Sequence, residues 1–288
     1  MRRFVSFLLL LVACVLLPLT IAATWVRTEV TPTDAYVASV APLADDPSVR
    51  TAVEDRTVAA TMRALDARVR LPKLARDRVE QQLRAAVSAS VASDAFAEAW
   101  RTANQSAHDE VIAVLSGDTA ATDVRRGGQV EVRINSLTPA VRRQLAAAGV
   151  PRVRELPRVH ASIPVGDVQE LRRARVAYSV LDAGGLVLPI VTTALLVVGL
   201  AVARRSSRAV ALTGMGAAVA VGLLAVGLFM ARAAYLRLLP AVVPEDAGAA
   251  LFDAVTEALR RDIAIVGVAA VAVLAVATIA SSVTPTRR

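Results

Sequence analysis

Among 288 residues the chain has a single cysteine, two histidines and few aromatic side chains: two tryptophans, three tyrosines and five phenylalanines. With Cys14 alone, no disulfide can form within the chain and no cysteine cluster can hold a metal. His108 and His160 lack the His-Glu-x-x-His spacing and a third ligand, so metal-dependent hydrolysis has no motif to rest on. Nucleophile elbows, phosphate-binding glycine loops and dinucleotide fingerprints are also missing, and Gly127-Gly128 marks a turn. These absences point away from an enzyme, and no cofactor is expected. Lysine is represented by Lys73 alone, so the basic character belongs to arginine.

Charge is absent from four long stretches, residues 4–25, 183–203, 209–231 and 263–283. Each has about the 20 residues that a helix needs to cross hydrocarbon, where backbone polar groups must bond within the segment. The chain is 55% hydrophobic with a mean hydropathy of +0.53, and these stretches hold much of that content. No acid or base interrupts them, which counts against an ion-driven transporter.

Between the second and third stretches, 204–208 reads Arg-Arg-Ser-Ser-Arg. So short a connection makes the two stretches a membrane hairpin, and its arginines place the turn on the cytoplasmic side. Arg2, Arg3, Arg204, Arg205, Arg208, Arg287 and Arg288 then account for seven of the net charge of +8. The excess is a topology signal and not a nucleic-acid surface.

The expected order is therefore 1–3 cytoplasmic, 4–25 first span, 26–182 extracytoplasmic domain, 183–203 second span, 204–208 cytoplasmic turn and 209–231 third span. An extracytoplasmic loop with an amphipathic helix at 232–262, a fourth span at 263–283 and a cytoplasmic tail at 284–288 complete it. This is a mainly α, multi-pass plasma-membrane protein with both termini cytoplasmic. Residues 4–25 are taken as an uncleaved anchor, because the run exceeds the 7–15 residues usual in a signal peptide. Two alternatives stand beside it: a signal peptide cut near Ala22 or Ala23, and a lipoprotein signal at Leu11-Val12-Ala13-Cys14.

Residues 26–182 carry 22 basic and 20 acidic side chains, the balance of a soluble domain. Helical spacing runs through 34–117. Asp46-Pro47 caps one helix, Leu71-Pro72 breaks the chain, Ser93 caps another, and Gly117 ends it. From 128 to 182 a small α+β unit is expected. Val130, Val132 and Ile134 alternate as a strand, 138–149 forms a helix, and 159–165 alternates again as a partner strand. An amphipathic helix from Asp167 then leads into the second span. On 232–262, Leu251, Phe252, Val255 and Leu259 form one apolar face, fit to lie on the membrane or to dock on the main domain.

Three groups are candidate sites. Trp100, Asn104 and His108 recur every four residues along one side of a helix, with Asp109 and Glu110 alongside. Chemically, His108 would be a ligand or proton carrier with His160 across the domain; structurally, the three form an interior polar cluster that docks a neighbouring helix. The structural role is expected, since no third ligand is present. Asp182 lies at the mouth of the second span beside Gly184-Gly185, as a coupling carboxylate or as a hydrated interfacial residue, the latter being expected. Gly214, Ala218 and Gly222 offer small residues for helix packing within the bundle or between two copies.

Asp34-Ala35-Tyr36-Val37 through Ala41-Pro42-Leu43-Ala44-Asp45-Asp46-Pro47, Trp100-x-x-Ala103-Asn104-x-x-Ala107-His108, and Leu115-Ser116-Gly117 resemble a group of uncharacterised actinobacterial integral membrane proteins. The resemblance covers nearly the whole chain. It implies one N-terminal span, an extracytoplasmic domain and three C-terminal spans, and brings no activity with it. The functional expectation is a non-enzymatic sensing, scaffolding or interaction protein of the envelope, whose partners are the lipid bilayer and an envelope protein or a second copy. The rival classes are an export or permease subunit working with a separate ATPase, and a membrane-anchored hydrolase using His108 and His160.

Overall fold

The computed structural model describes residues 2–69, 72–117, 122–124, 129–134, 161–203, 207–241 and 243–283. The expected helix at 138–149, His160, the centre of the arginine turn and the 284–288 tail lie outside the described residues. The fold is mainly α. Helix α1, Arg2–Trp25, widens into a π-helical turn at Val26–Val30; α2 is Thr33–Val40 with a 3-10 turn at Ala41–Asp45. Then come α3 (Pro47–Asp66), α4 (Lys73–Val91) and α5 (Asp94–Leu115). Strands β1 (Thr122–Val124), β2 (Gln129–Ile134) and β3 (Ala161–Asp167) form an antiparallel sheet in that order, with a register shift between Val130 and Glu131. Helices α6 (Val168–Val202), α7 (Ser207–Leu238), α8 (Glu245–Val255) and α9 (Glu257–Val283) complete the chain.

The molecule divides into two compact units. The first comprises Met1–Pro32, Val176–Ala234 and Thr256–Arg288, and the second Thr33–Arg175 and Tyr235–Val255. Four helical stretches are long and apolar enough to cross a membrane: Phe4–Val30, Leu171–Val202, Ala209–Leu238 and Glu257–Ile279. Their outward side chains are apolar, among them Phe7 on α1, Ile190 on α6, Phe229 on α7 and Val268 on α9. Exposure on that scale suits lipid and not water, so this is a membrane protein. At 35 residues α6 extends roughly 50 Å at 1.5 Å per residue, well beyond a hydrocarbon core of about 30 Å. Residue 183 is consequently no helix boundary, and the amphipathic start of α6 continues unbroken into the apolar part.

Inside the first unit, Ile21, Val221 and Leu259 form a core with Leu17, Trp25, Leu224 and Ile263 around it. Small residues set how closely the helices approach. A Cβ built on Gly214 would lie 2.9 Å from the Leu274 nitrogen and 3.1 Å from the Ala270 oxygen, so α7 meets the α9 backbone there. A Cβ on Gly222 would meet nothing within 4 Å. The four-residue spacing of Gly214, Ala218 and Gly222 therefore does not make one continuous seam among the described residues.

The second unit follows from local sequence. The Asp46 carboxylate accepts from the Ser48 amide at 2.8 Å and the Val49 amide at 3.4 Å, capping α3 with Pro47 in the first turn. Ser93 caps α5 through the Phe96 amide at 3.3 Å, and Gly117 takes a φ of +97° just past the α5 terminus, a left-handed position that glycine adopts without strain. Val40, Leu43, Val49 and Ala247 form the core, joined by Tyr36, Trp100, Leu251 and Val255.

Two of those core elements are far apart in sequence, because α8 lies beyond two apolar helices. Ala247, Ala250, Leu251, Ala254 and Val255 fall at helical spacing on its buried face. The segment set apart as a loop at 232–262 thus shares the core of residues 33–115. Leu259 departs from that face: the chain breaks at Thr256, and Leu259 packs in the first unit instead.

Two outcomes are expected of variants measured by thermal unfolding in detergent. Gly214→Val forces the α9 backbone away and costs about 1–3 kcal/mol, whereas Gly222→Val stays within about 0.5 kcal/mol of the parent. The Asp46 carboxyl is held below the ordinary aspartate range, chiefly by the Ser48 hydroxyl, against an opposing desolvation, with the Ser48 and Val49 amides adding to the lowering. Its contribution is therefore present above the unfolded value of about 3.9 and is lost as pH falls through the lower folded value. Asp46→Ala should cost about 1 kcal/mol at pH 7, with the gap from the parent closing in acid.

Candidate functional site

The four-residue ladder on α5 meets α2 at both of its ends. Trp100 Nε1 donates to the Val40 carbonyl at 2.9 Å, where α2 turns into the 3-10 segment. Asn104 Nδ2 donates back to the Trp100 carbonyl at 2.9 Å, so it spends its amide on its own helix. At the other end His108, 7% exposed, has Nδ1 3.2 Å from the Thr33 hydroxyl. Its ring stacks on Tyr36 with centroids 4.2 Å apart and planes 17° apart.

The Thr33 hydroxyl donates to Asp109 Oδ1 at 2.6 Å. A carboxylate accepts and a hydroxyl has one proton, so Thr33 Oγ1 must take its second bond from the Nδ1–H of His108. The network thus assigns the ring proton to Nδ1 in the chain His108, Thr33, Asp109. Burial, with neighbouring Tyr235 second, pushes the Tyr36 phenol above its ordinary range and keeps it neutral at physiological pH. The result is a clasp between α2 and α5, bonded at Trp100 and His108 and stacked at Tyr36.

Asp182 belongs to the first unit and has partners of its own. Its Oδ1 accepts from Thr31 at 3.2 Å, Tyr178 donates to the Thr31 hydroxyl at 3.3 Å, and Arg27 donates to the Asp182 carbonyl at 3.2 Å. The carboxylate is a tie between the end of α1 and the body of α6. His160 is outside the described residues, so its pairing with His108 has no geometry. Among the described residues no three His, Cys, Asp or Glu side chains gather as a metal would need.

A cleft of about 240 Å³ lies between α3 and α4, floored by Val58 and Met62. Two of its three arginines are answered by nearby acids: Arg84 reaches Asp55 at 2.5 Å and Glu54 at 3.3 Å, while Arg76 reaches Asp66 at 3.3 Å and Glu80 at 3.5 Å. These pairs strut two exposed helices and leave little unsatisfied charge for a ligand.

Sequence spacing found Trp100, Asn104 and His108 but missed Thr33 and Tyr36. Thr33 lies in Thr31-Pro32-Thr33-Asp34, which signals a helix start and not a tertiary bond to a residue 75 positions away. Removing that hydroxyl with Thr33→Val takes a partner from the buried His108 ring, while the exposed Asp109 turns to water, and should cost about 1–3 kcal/mol. Trp100→Phe keeps the ring and loses one hydrogen bond, at about 1 kcal/mol. Thermal unfolding of the two variants against the parent checks both, and an unchanged Thr33→Val would show that the clasp does not hold α2. No protein-family model, curated protein or solved structure matches this chain.

Proposed function

We propose that this is a non-enzymatic plasma-membrane protein whose second unit lies outside the cytoplasm and serves as a sensing, scaffolding or interaction module of the envelope. The observation that carries this is the shared core of α2, α3, α5 and α8. Residues 33–175 and 235–255 are separated by the two apolar helices α6 and α7, and only an even number of crossings returns a chain to the side it left. A shared core therefore supports both helices spanning, and the arginines at 204–208 supply the orientation. The polar cluster supports a structural and not a catalytic use of its histidine, since its bonds go to docking α2. Cytoplasmic segments of three to five residues offer a soluble cytoplasmic partner almost no surface, and the arginines among them suit anionic headgroups.

Two measurements test this. In intact cells a membrane-impermeant maleimide should label Arg101→Cys and Asp246→Cys, both exposed in the second unit, and Arg287→Cys only after permeabilisation. Labelling of Arg287→Cys alone in intact cells would invert the topology and remove the proposal. A photoreactive residue at Arg101 should then capture envelope proteins or a second copy, identified by mass spectrometry. Capture of an ATPase assembly would replace the interaction module with the permease subunit.

A further inference from the structure

The four spans are not equivalent, because polar and small residues of the first span meet α6 and α7 at several points along its length. Along α1 the residues Ser6, Ala13, Thr20 and Arg27 recur every seven, and on α6 so do Gly185, Thr192 and Gly199. The two series meet in antiparallel order. Ser6 Oγ donates to the Gly199 carbonyl at 2.8 Å, Thr20 and Thr192 share a hydroxyl hydrogen bond at 2.8 Å, and Arg27 lies against Gly185. A Cβ on Gly185 would come 2.6 Å from Arg27 Cβ and 2.7 Å from the Ala23 oxygen; one on Gly199 would come 2.8 Å from Leu10 Cδ2. Ala13 and Ala23 are fully buried, and Ser6 and Thr192 are each 3% exposed. On the α7 side, Cys14 Sγ lies 3.8 Å from the Thr213 oxygen and 3.0 Å from where a Gly216 Cβ would sit.

We infer that residues 4–25 remain in the membrane-embedded protein as α1, the helix to which α6 and α7 are fitted, and are not removed as a leader. A leader needs only an apolar stretch of suitable length for its receptor; it needs no polar side chain matched to a distant carbonyl. In lipid the helices gain no hydrophobic attraction for one another, so close approach at small residues and hydrogen bonds between helices decide which faces meet. Cleavage near Ala22 or Ala23 would take away Ser6, Leu10, Ala13, Cys14 and Thr20 together. Lipoprotein processing ahead of Cys14 would take away Ser6, Leu10 and Ala13 and require a sulfur packed against α7 to carry an acylated glycerol. Either cut removes Leu10 from the Gly199 groove and Ser6 from the Gly199 carbonyl, leaving that stretch of α6 facing hydrocarbon.

Native Cys14 supplies the test. A Cβ on Gly216 falls 3.6 Å from Cys14 Cβ, inside the roughly 3.5–4.5 Å range of disulfides. Gly216→Cys, expressed in the native membrane and treated with copper phenanthroline, should yield a disulfide joining the Cys14 peptide to the residue-216 peptide. Intact mass of the parent should include residues 4–25. An N-terminus at 14 or within 22–24, or a lipid mass on Cys14, would overturn the inference. So would failure of both Gly216→Cys and the independent pair Thr20→Cys with Thr192→Cys to crosslink in protein that is present at parental levels.

Discussion

Hydrocarbon offers a peptide group no hydrogen-bond partner, and most of this structure follows from that deprivation. Each apolar stretch must become a helix, because only a helix satisfies the backbone from within one segment. Two of the hydroxyls that enter are satisfied the same way, Thr20 bonding the Leu16 carbonyl at 2.9 Å and Thr213 the Ala209 carbonyl at 2.8 Å, while Ser6 and Thr192 bond across helices. What then distinguishes one helix face from another is close fit and not apolarity. Gly185, Gly199 and Gly214 mark the closest approaches, and the large apolar side chains Leu223, Phe229 and Val268 face outward.

In the second unit the arrangement is reversed. Large side chains turn inward, and a chain poor in aromatics concentrates five of its ten there: Tyr36, Phe96, Trp100, Tyr235 and Phe252. Burying each removes about 150–250 Å² from water, so Trp100 and Tyr36 contribute far more than the alanines and valines around them. Burying an aromatic side chain with a polar tip costs less when that tip finds a partner. The Trp100 nitrogen finds the Val40 carbonyl, and the His108 ring lies on Tyr36 with its nitrogen on Thr33. One set of side chains supplies both the burial and the direction of α2, which leaves the cluster engaged in structure.

Local signals were legible because their causes are local. The Asp46-Pro47 cap, the Ser93 cap and the left-handed Gly117 depend on residues within one turn, and each can be located from its own few letters. The four apolar helices were legible for the same reason, since length and lack of charge are properties of a segment. Relations between segments were not. The α8 face was recognised as apolar, yet nothing in 245–255 names the core it enters, and Leu259 was misassigned to it because no strong helix breaker stands at Thr256. The Gly214 and Gly222 pair shows the same limit: equal spacing, opposite surroundings. A small residue permits approach but does not say from which side. The seven-residue series on α1 and α6 gain meaning only when set against each other.

The late arrival of α8 in the second unit also constrains how the chain assembles. Residues 33–115 contribute Val40, Leu43 and Val49 to a core that lacks Ala247, Leu251 and Val255 until about 130 further residues have been made. For a free chain, closing so long a loop costs only slightly more than closing a short one, but the slow step is the search. If α6 and α7 span as proposed, they shorten that search by returning the chain to the side it left. Insertion of α6 and α7 and completion of the core are then one process. Until it is finished, Tyr36 and Trp100 retain an uncovered apolar side, the kind of surface on which incompletely folded domains associate. A unit whose core takes Ala247, Leu251 and Val255 from beyond two apolar helices therefore cannot be completed before both of those helices have been made.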